Sequence, residues 1–162
     1  MKNRFTIAVA AFLSLAACKE SSVAGNTGAA TLASAPPASP RAADPALVAR
    51  GSEVYQKNCA QCHGGMAQGA PNWQRPGPDG KYPAPPLDGS AHAWHHPQAA
   101  LKMTIREGTV RLGGSMPAWK DKLSDRDIDA VIVWMQSLWP EEIYRAWLAM
   151  DEKSRRGNSA DR

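Results

Sequence analysis

Residues 59–63 are Cys59-Ala60-Gln61-Cys62-His63, and this pentapeptide decides the fold of the 162-residue chain. Two thiols separated by two residues can each form a thioether with one haem, and the histidine that follows then supplies an axial nitrogen to the iron. A zinc half-site would need further Cys or His at matching spacing, and a thioredoxin-like dithiol would need an α/β pattern that the chain lacks. The motif therefore predicts one covalently bound haem c, with Cys59 and Cys62 as attachment sites and His63 as an iron ligand.

The second axial ligand of the iron has to come from a loop that is distant from His63 in sequence. Met116 meets this requirement, since the small residues 113–115 precede it and Pro117 follows it, a pattern typical of a rigid loop that can approach a cofactor closely. The other methionines considered lie too near His63 or in predicted helices, where methionine usually fills core space: Met66, Met103, Met135 and Met150. We therefore predict that Met116 binds the iron opposite His63.

Three histidines lie close together at His92, His95 and His96. We expect a turn before a helix, in which one imidazole or the Trp94 N–H contacts a haem propionate. A second metal site, for example for copper, and bis-histidine ligation of the haem are the alternatives. A strong metal site would need the three side chains to converge, which neighbouring residues seldom do.

The first 17 residues have the pattern of a secretory signal, a basic start followed by a short apolar run from Phe5 to Leu15. That run is too short to cross a bilayer, which takes about 20 apolar residues. It ends on Leu15-Ala16-Ala17-Cys18, which resembles the lipobox of bacterial lipoproteins. We predict cleavage before Cys18 and lipidation of Cys18, with an ordinary export signal as the alternative. Lys19 favours sorting to the outer membrane, so we expect a lipid-anchored protein on the periplasmic face of the cell envelope.

The remaining chain is predicted to be all-α, since helical patterns recur and no strand pattern or internal repeat is present. Residues 18–44 are rich in Ala, Ser, Gly, Pro and Thr, and we expect a lipidated, disordered linker there. The folded domain spans 45–139, with a first helix that leads into the Cys59–His63 motif and a long loop over 64–90. A second helix is expected over 97–107.

The third predicted helix begins with a capping box formed by Ser124 and Asp127 and ends before Pro140. A C-terminal helix over 140–152 follows, and residues 153–162 are predicted to be a disordered tail. The C-terminal helix places Ile143, Ala146, Trp147 and Met150 on one side. We expect that side to pack back on the domain, with contact to a partner protein as the alternative.

The segment from Ala46 to Leu138 resembles the class I cytochromes c. The matching residues are Gly51, Tyr55, Cys59, Cys62, His63, Gly64, Pro85-Pro86-Leu87, Gly108, Met116, Pro117 and Ser137-Leu138. The resemblance implies a small helical bundle around one haem, in which Gly51 lies where the first and last helices of the domain cross and Tyr55 and Trp134 pack beside it. It also implies that a loop carbonyl, such as that of Pro85, accepts a hydrogen bond from His63.

Filled axial positions leave the iron no free site for a substrate, so the predicted function is one-electron transfer between protein redox partners, not an enzymatic reaction. The alternatives are a haem subunit docked in a larger oxidase or reductase, and a haem enzyme or sensor with a labile sixth ligand. No small-molecule substrate is expected. No dense basic run with interleaved aromatics indicates nucleic acid.

Basic residues around Met116 form a candidate docking face for an acidic partner, with ordinary solvated charge as the alternative. They are Lys102, Arg106, Arg111, Lys120 and Lys122.

Overall fold

The computed structural model describes residues 43–160, and the fold is described for that range. Five helices follow one another: α1 (Pro45–Asn58), α2 (Ala60–His63), α3 (Gln98–Glu107), α4 (Asp125–Ser137) and α5 (Glu141–Ala160). Short 3-10 turns cover Ala93–His95 and Val110–Leu112. No strand occurs within 43–160, which confirms the all-α prediction. The predicted signal peptide over 1–17, the lipidated Cys18 and nearly all of the linker over 18–44 lie outside the described residues.

Helix α1 begins at Pro45 because its first turn is capped. The Asp44 carboxylate accepts a hydrogen bond from the Ala46 N–H at 2.9 Å, and proline suits the first helical position, where its missing N–H costs nothing. The helix ends at Asn58, and α2 starts after Cys59 without an intervening loop. The chain therefore delivers the Cys59–His63 motif from the end of a long helix.

Helices α1 and α4 cross at Gly51. A Cβ atom added to Gly51 would overlap the carbonyl oxygen of Ala130 and lie 2.7 Å from the Cβ of Trp134. The rings of Tyr55 and Trp134 pack beside this crossing with their centroids 4.2 Å apart. The predicted crossing at Gly51 is thus confirmed, and it fixes the helix that carries the motif against the core.

Helix α4 supplies more of the core than any other helix. The Ser124 hydroxyl accepts a hydrogen bond from the Asp127 N–H at 3.1 Å, and the Asp127 carboxylate accepts one from the Ser124 N–H, so the predicted capping box is present. Its almost fully buried residues include Ile128, Val131, Ile132 and Met135.

Helix α5 packs back on the domain, as predicted, through Trp147. Its side chain is 5% exposed, lies edge-on to Trp139 with 5.9 Å between ring centroids, and donates a hydrogen bond to the His96 carbonyl at 3.0 Å. Asp151 is also buried and accepts a hydrogen bond at 2.8 Å from the N–H of Gln98 at the start of α3. Ala146 is exposed, so the prediction that it packs on the domain is wrong for this residue.

The predicted end of this helix is also wrong, since α5 continues to Ala160 where a disordered tail over 153–162 was expected. The residues after Asp151 lack an apolar stripe, so no periodic signal marks them as helical. An ion pair of 3.1 Å between Arg155 and Asp151, four residues apart, supports the added turns. No helix within 43–160 has the length and apolar character that a bilayer crossing requires.

Candidate functional site

Cys59, Cys62 and His63 lie on one helical turn. Cys59 links α1 to α2, and its carbonyl accepts hydrogen bonds from the N–H groups of Cys62 at 3.1 Å and His63 at 3.0 Å. Residues three apart on a helix are neighbours on its surface, so both cysteines flank the same side of the turn. The structure therefore brings together these three predicted site residues.

Cys59 and Cys62 form no disulfide with each other. Burial first, and then the nearby Cys62, raise the pKa of the Cys59 thiol to about 11. Dithiols that act in disulfide exchange instead have a thiol with a lowered pKa, which provides the thiolate nucleophile. The raised pKa of the Cys59 thiol thus gives the thioredoxin-like alternative no support.

The orientation of His63 is fixed by a loop carbonyl. Its Nδ1 atom lies 2.9 Å from the carbonyl oxygen of Pro85. Because a carbonyl oxygen can only accept, Nδ1 carries the proton and the lone pair remains on Nε2. Burial lowers the pKa of His63, opposed by the bond to Pro85. The predicted Pro85 contact is confirmed, and it leaves Nε2 as a neutral nitrogen donor.

The loop over 64–90 positions Pro85. The Gly69 N–H donates to the His63 carbonyl at 2.7 Å, and the Leu87 N–H donates to the Ala67 carbonyl at 2.7 Å. Gly69 has φ +77°, and a Cβ there would lie 2.5 Å from the Pro86 nitrogen, so only glycine permits this approach. The long loop therefore folds back on α2 and is a structured part of the site.

Trp139 holds the far end of this loop. Its side chain is 2% exposed, and its indole N–H donates to the Leu87 carbonyl at 2.8 Å. Sequence analysis did not identify this role. The available signal was a large aromatic residue immediately before Pro140, at the junction between two helices.

Met116 lies in the loop between α3 and α4 and is half-buried. Its carbonyl accepts from the Thr109 N–H at 2.8 Å, and its own N–H donates to the Thr109 hydroxyl at 3.1 Å. Gly108, with φ +67°, allows this chain segment to pass close, since an added Cβ would lie 2.5 Å from the Met116 carbonyl oxygen. Among residues 43–160, no hydrogen bond or ion pair joins this loop to the turn that carries His63.

Of the other methionines, Met135 is 2% exposed and fills the core, as predicted. The prediction for Met103 is wrong, because its side chain is 62% exposed. Leu101, only two residues earlier, faces the core. Two residues correspond to about 200° of rotation around a helix, so Met103 faces away from the side that Leu101 buries.

The three histidines lie in the expected turn before α3, and their side chains are exposed. The His92 and His96 rings are 5.9 Å apart, whereas His95 stacks on Trp94 with centroids 3.7 Å apart. Within the described part of the chain, no three His, Cys, Asp or Glu side chains are grouped to hold a metal ion. The geometry thus gives the metal-site alternative no support, and the contact with a propionate remains a prediction.

The predicted basic docking face is partly neutralised by acidic residues of other segments. Lys102 pairs with Asp129 at 2.8 Å, Lys120 pairs with Glu107 at 2.7 Å, and Arg106 pairs with Asp125. Asp125 and Asp129 come from α4, so the sequence around Met116 gave no sign of them. Three of the five basic residues are thus paired with carboxylates, which reduces the positive charge of the predicted face.

The donor set of the site fits haem c. It offers two cysteine sulfurs one helical turn apart, a neutral imidazole with its lone pair on Nε2, and the thioether of a half-buried methionine in a hydrogen-bonded loop. Thioether attachment and axial coordination by histidine and methionine use these groups. The residues can therefore hold the cofactor that the motif predicts.

Comparison with known proteins identifies the same domain. The family model described as "Cytochrome C oxidase, cbb3-type, subunit III" matches residues 46–135. The cbb3-type cytochrome c oxidase subunit CcoP of Azospirillum sp. (strain B510) is 40% identical over 98 residues, which are 60% of this chain and 31% of that protein. FixP of Bradyrhizobium sp. (strain ORS 278), another such subunit, is 32% identical over 56% of this chain and 27% of its own length.

The match thus spans about a third of these oxidase subunits or less. Cytochrome c6 of Bryopsis maxima is 32% identical over 87 residues, which are 52% of this chain and 84% of that protein. No solved structure matches the chain significantly. The similarity to a cytochrome c6 confirms the resemblance to class I cytochromes c.

Proposed function

The chain belongs to the family of c-type cytochrome domains described as cytochrome c oxidase, cbb3-type, subunit III, and we propose that it is a membrane-tethered, single-haem carrier of electrons. A cytochrome c domain binds haem c covalently and transfers electrons. The proposal adds the number of haems, the residues that hold the haem and the attachment to a membrane. A single Cys-x-x-Cys-His motif in the sequence supports one haem.

We propose that Cys59 and Cys62 attach the haem and that His63 and Met116 are its axial ligands. The hydrogen bond between His63 Nδ1 and the Pro85 carbonyl carries this assignment, since it directs the imidazole proton away from Nε2 and fixes the ring. The haem supplies a one-electron Fe(III)/Fe(II) couple, and methionine ligation raises its potential. Two protein ligands on the iron exclude a substrate, which favours electron exchange over catalysis.

The far-red sulfur-to-iron absorption band of the oxidised, haem-loaded full chain tests the ligand assignment. We expect the band in the wild type and its loss in Met116→Ala. When both proteins are reduced, carbon monoxide should bind Met116→Ala and not the wild type. Met103→Ala is the matched control, because it removes an exposed methionine that the proposal leaves without a role. Loss of the band in Met103→Ala, or carbon monoxide binding to the wild type, would contradict the proposal and favour another ligand or a labile position.

Membrane attachment through Cys18 is the second part of the proposal, and the lipobox-like sequence 15–18 supports it. Linker residues 18–44 then connect the anchor to the domain over 45–139, on the periplasmic face and preferentially at the outer membrane. Labelled fatty acid should be incorporated into the wild type and not into Cys18→Ser. Release of wild-type protein from washed membranes without detergent is the result that would refute the anchor.

A haem subunit docked in a larger oxidase is the second candidate function. The names of the two oxidase-subunit relatives favour it, as does an additional helix, α5, beyond the domain that the family model matches. Protein partners are expected in either case. Detergent extraction followed by size-exclusion chromatography separates the two functions, because a docked subunit elutes with oxidase polypeptides and a free carrier elutes alone.

A further inference from the structure

Thr109 makes hydrogen bonds to both backbone polar groups of Met116. Its N–H donates to the Met116 carbonyl at 2.8 Å, and its hydroxyl accepts from the Met116 N–H at 3.1 Å. The Thr109 carbonyl also accepts from the N–H groups of Leu112 and Gly114, both at 2.9 Å. A single residue thus closes the loop that ends at Met116.

The side chain of Thr109 is held in place by close packing. A Cβ added to Gly114 would lie 2.7 Å from the Thr109 Cβ and would also overlap its hydroxyl. Gly108 on the other side lets the segment 116–118 approach, with an added Cβ only 2.6 Å from the Ala118 nitrogen. Gly114 thus leaves room for the threonine side chain, and Gly108 leaves room for the segment that carries Met116, so the hydroxyl can be directed at the Met116 N–H.

We propose that Thr109 is a positioning residue that keeps the Met116 thioether available to the iron. The inference rests on the proposed function, in which Met116 is an axial ligand. With its N–H and carbonyl both fixed, Met116 has only side-chain torsions left to adjust. Without the hydroxyl, the part-buried Met116 N–H loses its acceptor, and loop conformations that withdraw the methionine become more populated.

An external ligand measures this equilibrium, because it binds the iron only when Met116 has left. Its apparent affinity is therefore proportional to the fraction of molecules with Met116 displaced. Imidazole is a suitable probe, since it resembles the histidine ligand and its binding to the oxidised protein is followed by absorbance. A purely structural role of Thr109 would lower the free energy of unfolding without changing this affinity.

The test compares variants of the full, haem-loaded chain. Thr109→Val keeps the shape of the side chain and removes the hydroxyl, and we expect imidazole to bind about tenfold more tightly, as loss of one hydrogen bond with an unsatisfied partner predicts. The far-red band should weaken in the same variant. Thr109→Ser restores the hydroxyl and should return both values towards wild type, while Ser115→Ala removes an exposed hydroxyl of the same loop and should change neither.

Gly114→Ala is a second variant that disturbs the same contact. It keeps the Thr109 hydroxyl group in the sequence but crowds it with the added Cβ. We expect it to change imidazole binding in the same direction as Thr109→Val. If Thr109→Val and Gly114→Ala both bind imidazole as the wild type does, while Met116→Ala lacks the far-red band, the role of Thr109 is overturned and the proposed function stands. Retention of the band in Met116→Ala overturns the proposed function itself.

Discussion

Replacement of Gly51 by alanine tests the helix crossing on which the motif depends. The added methyl group would overlap the Ala130 carbonyl oxygen. It would lie 2.6 Å from the Ala130 carbonyl carbon and 2.7 Å from the Trp134 Cβ. None of these atoms can rotate away, so α1 and α4 have to separate. Overpacking costs about 1–3 kcal/mol of stability, and we expect about 3 kcal/mol here because the obstructing atoms belong to the backbone of Ala130. Alanine in place of glycine gains about 1 kcal/mol through its higher helix propensity. We expect Gly51→Ala to be about 2 kcal/mol less stable.

Thermal unfolding of the haem-loaded chain, followed by circular dichroism, measures this loss. A domain of this size loses about 4 °C in Tm per kcal/mol, so the midpoint should fall by about 8 °C. Gly157→Ala on α5 is the matched control, since no atom lies within 4 Å of an added Cβ there. It should keep the wild-type midpoint or raise it slightly. A Gly51→Ala midpoint at or above that of the wild type would refute the close approach of the two helices.

Three further predictions concern the caps and α5. Ser124→Ala removes the acceptor of the Asp127 N–H and should cost about 1 kcal/mol in urea unfolding, with an unchanged value counting against the capping box. The Ser124 hydroxyl and then the Arg50 guanidinium hold the pKa of Asp127 below its ordinary value. The stabilising effect of the ionised Asp127 is therefore present above about pH 4 and lost as the pH falls through the lowered pKa. The free energy of unfolding of Asp127→Asn should therefore depend less on pH in the acid range. The same pH dependence in the variant and the wild type would contradict this. Trp147→Ala should cost about 3–5 kcal/mol of stability through lost packing. Trp147→Phe should cost less, because it loses chiefly the hydrogen bond to the His96 carbonyl. Equal unfolding midpoints for the two variants would argue against that ranking.

Local patterns predicted the helical fold and the Cys59–His63 motif. The capping box at Ser124 and Asp127 involves residues three apart, and Pro140 marks the end of α4 by its missing N–H, so both signals are readable along the chain. The Pro85 contact with His63 was obtained in another way, from the resemblance to class I cytochromes c. It joins residues 22 apart, a separation at which no pattern of side chains indicates a partner.

Features that depend on distant contacts could not be predicted. Asp151 caps α3 from 53 residues away, and the acidic partners of Lys102 and Arg106 come from α4. The first two sets of contacts follow from how the helices pack. The contact of the Thr109 hydroxyl was missed because it joins residues seven apart within a loop, where no recurrent motif such as a capping box indicates it.

The two sides of the candidate site are held by different parts of the chain. On the histidine side, Pro85 is two residues from Leu87, whose carbonyl is bound by Trp139, and Trp139 in turn packs against Trp147 of α5. On the methionine side, Thr109 and the adjacent glycines close a loop that makes no hydrogen bond to α5 within the described residues. Because coupling between groups requires shared contacts, disturbance of Trp147 reaches the His63 orientation more directly than it reaches Met116. The additional C-terminal helix thus supports His63, the proposed ligand that adjoins the two cysteines, and Met116 depends on its own loop.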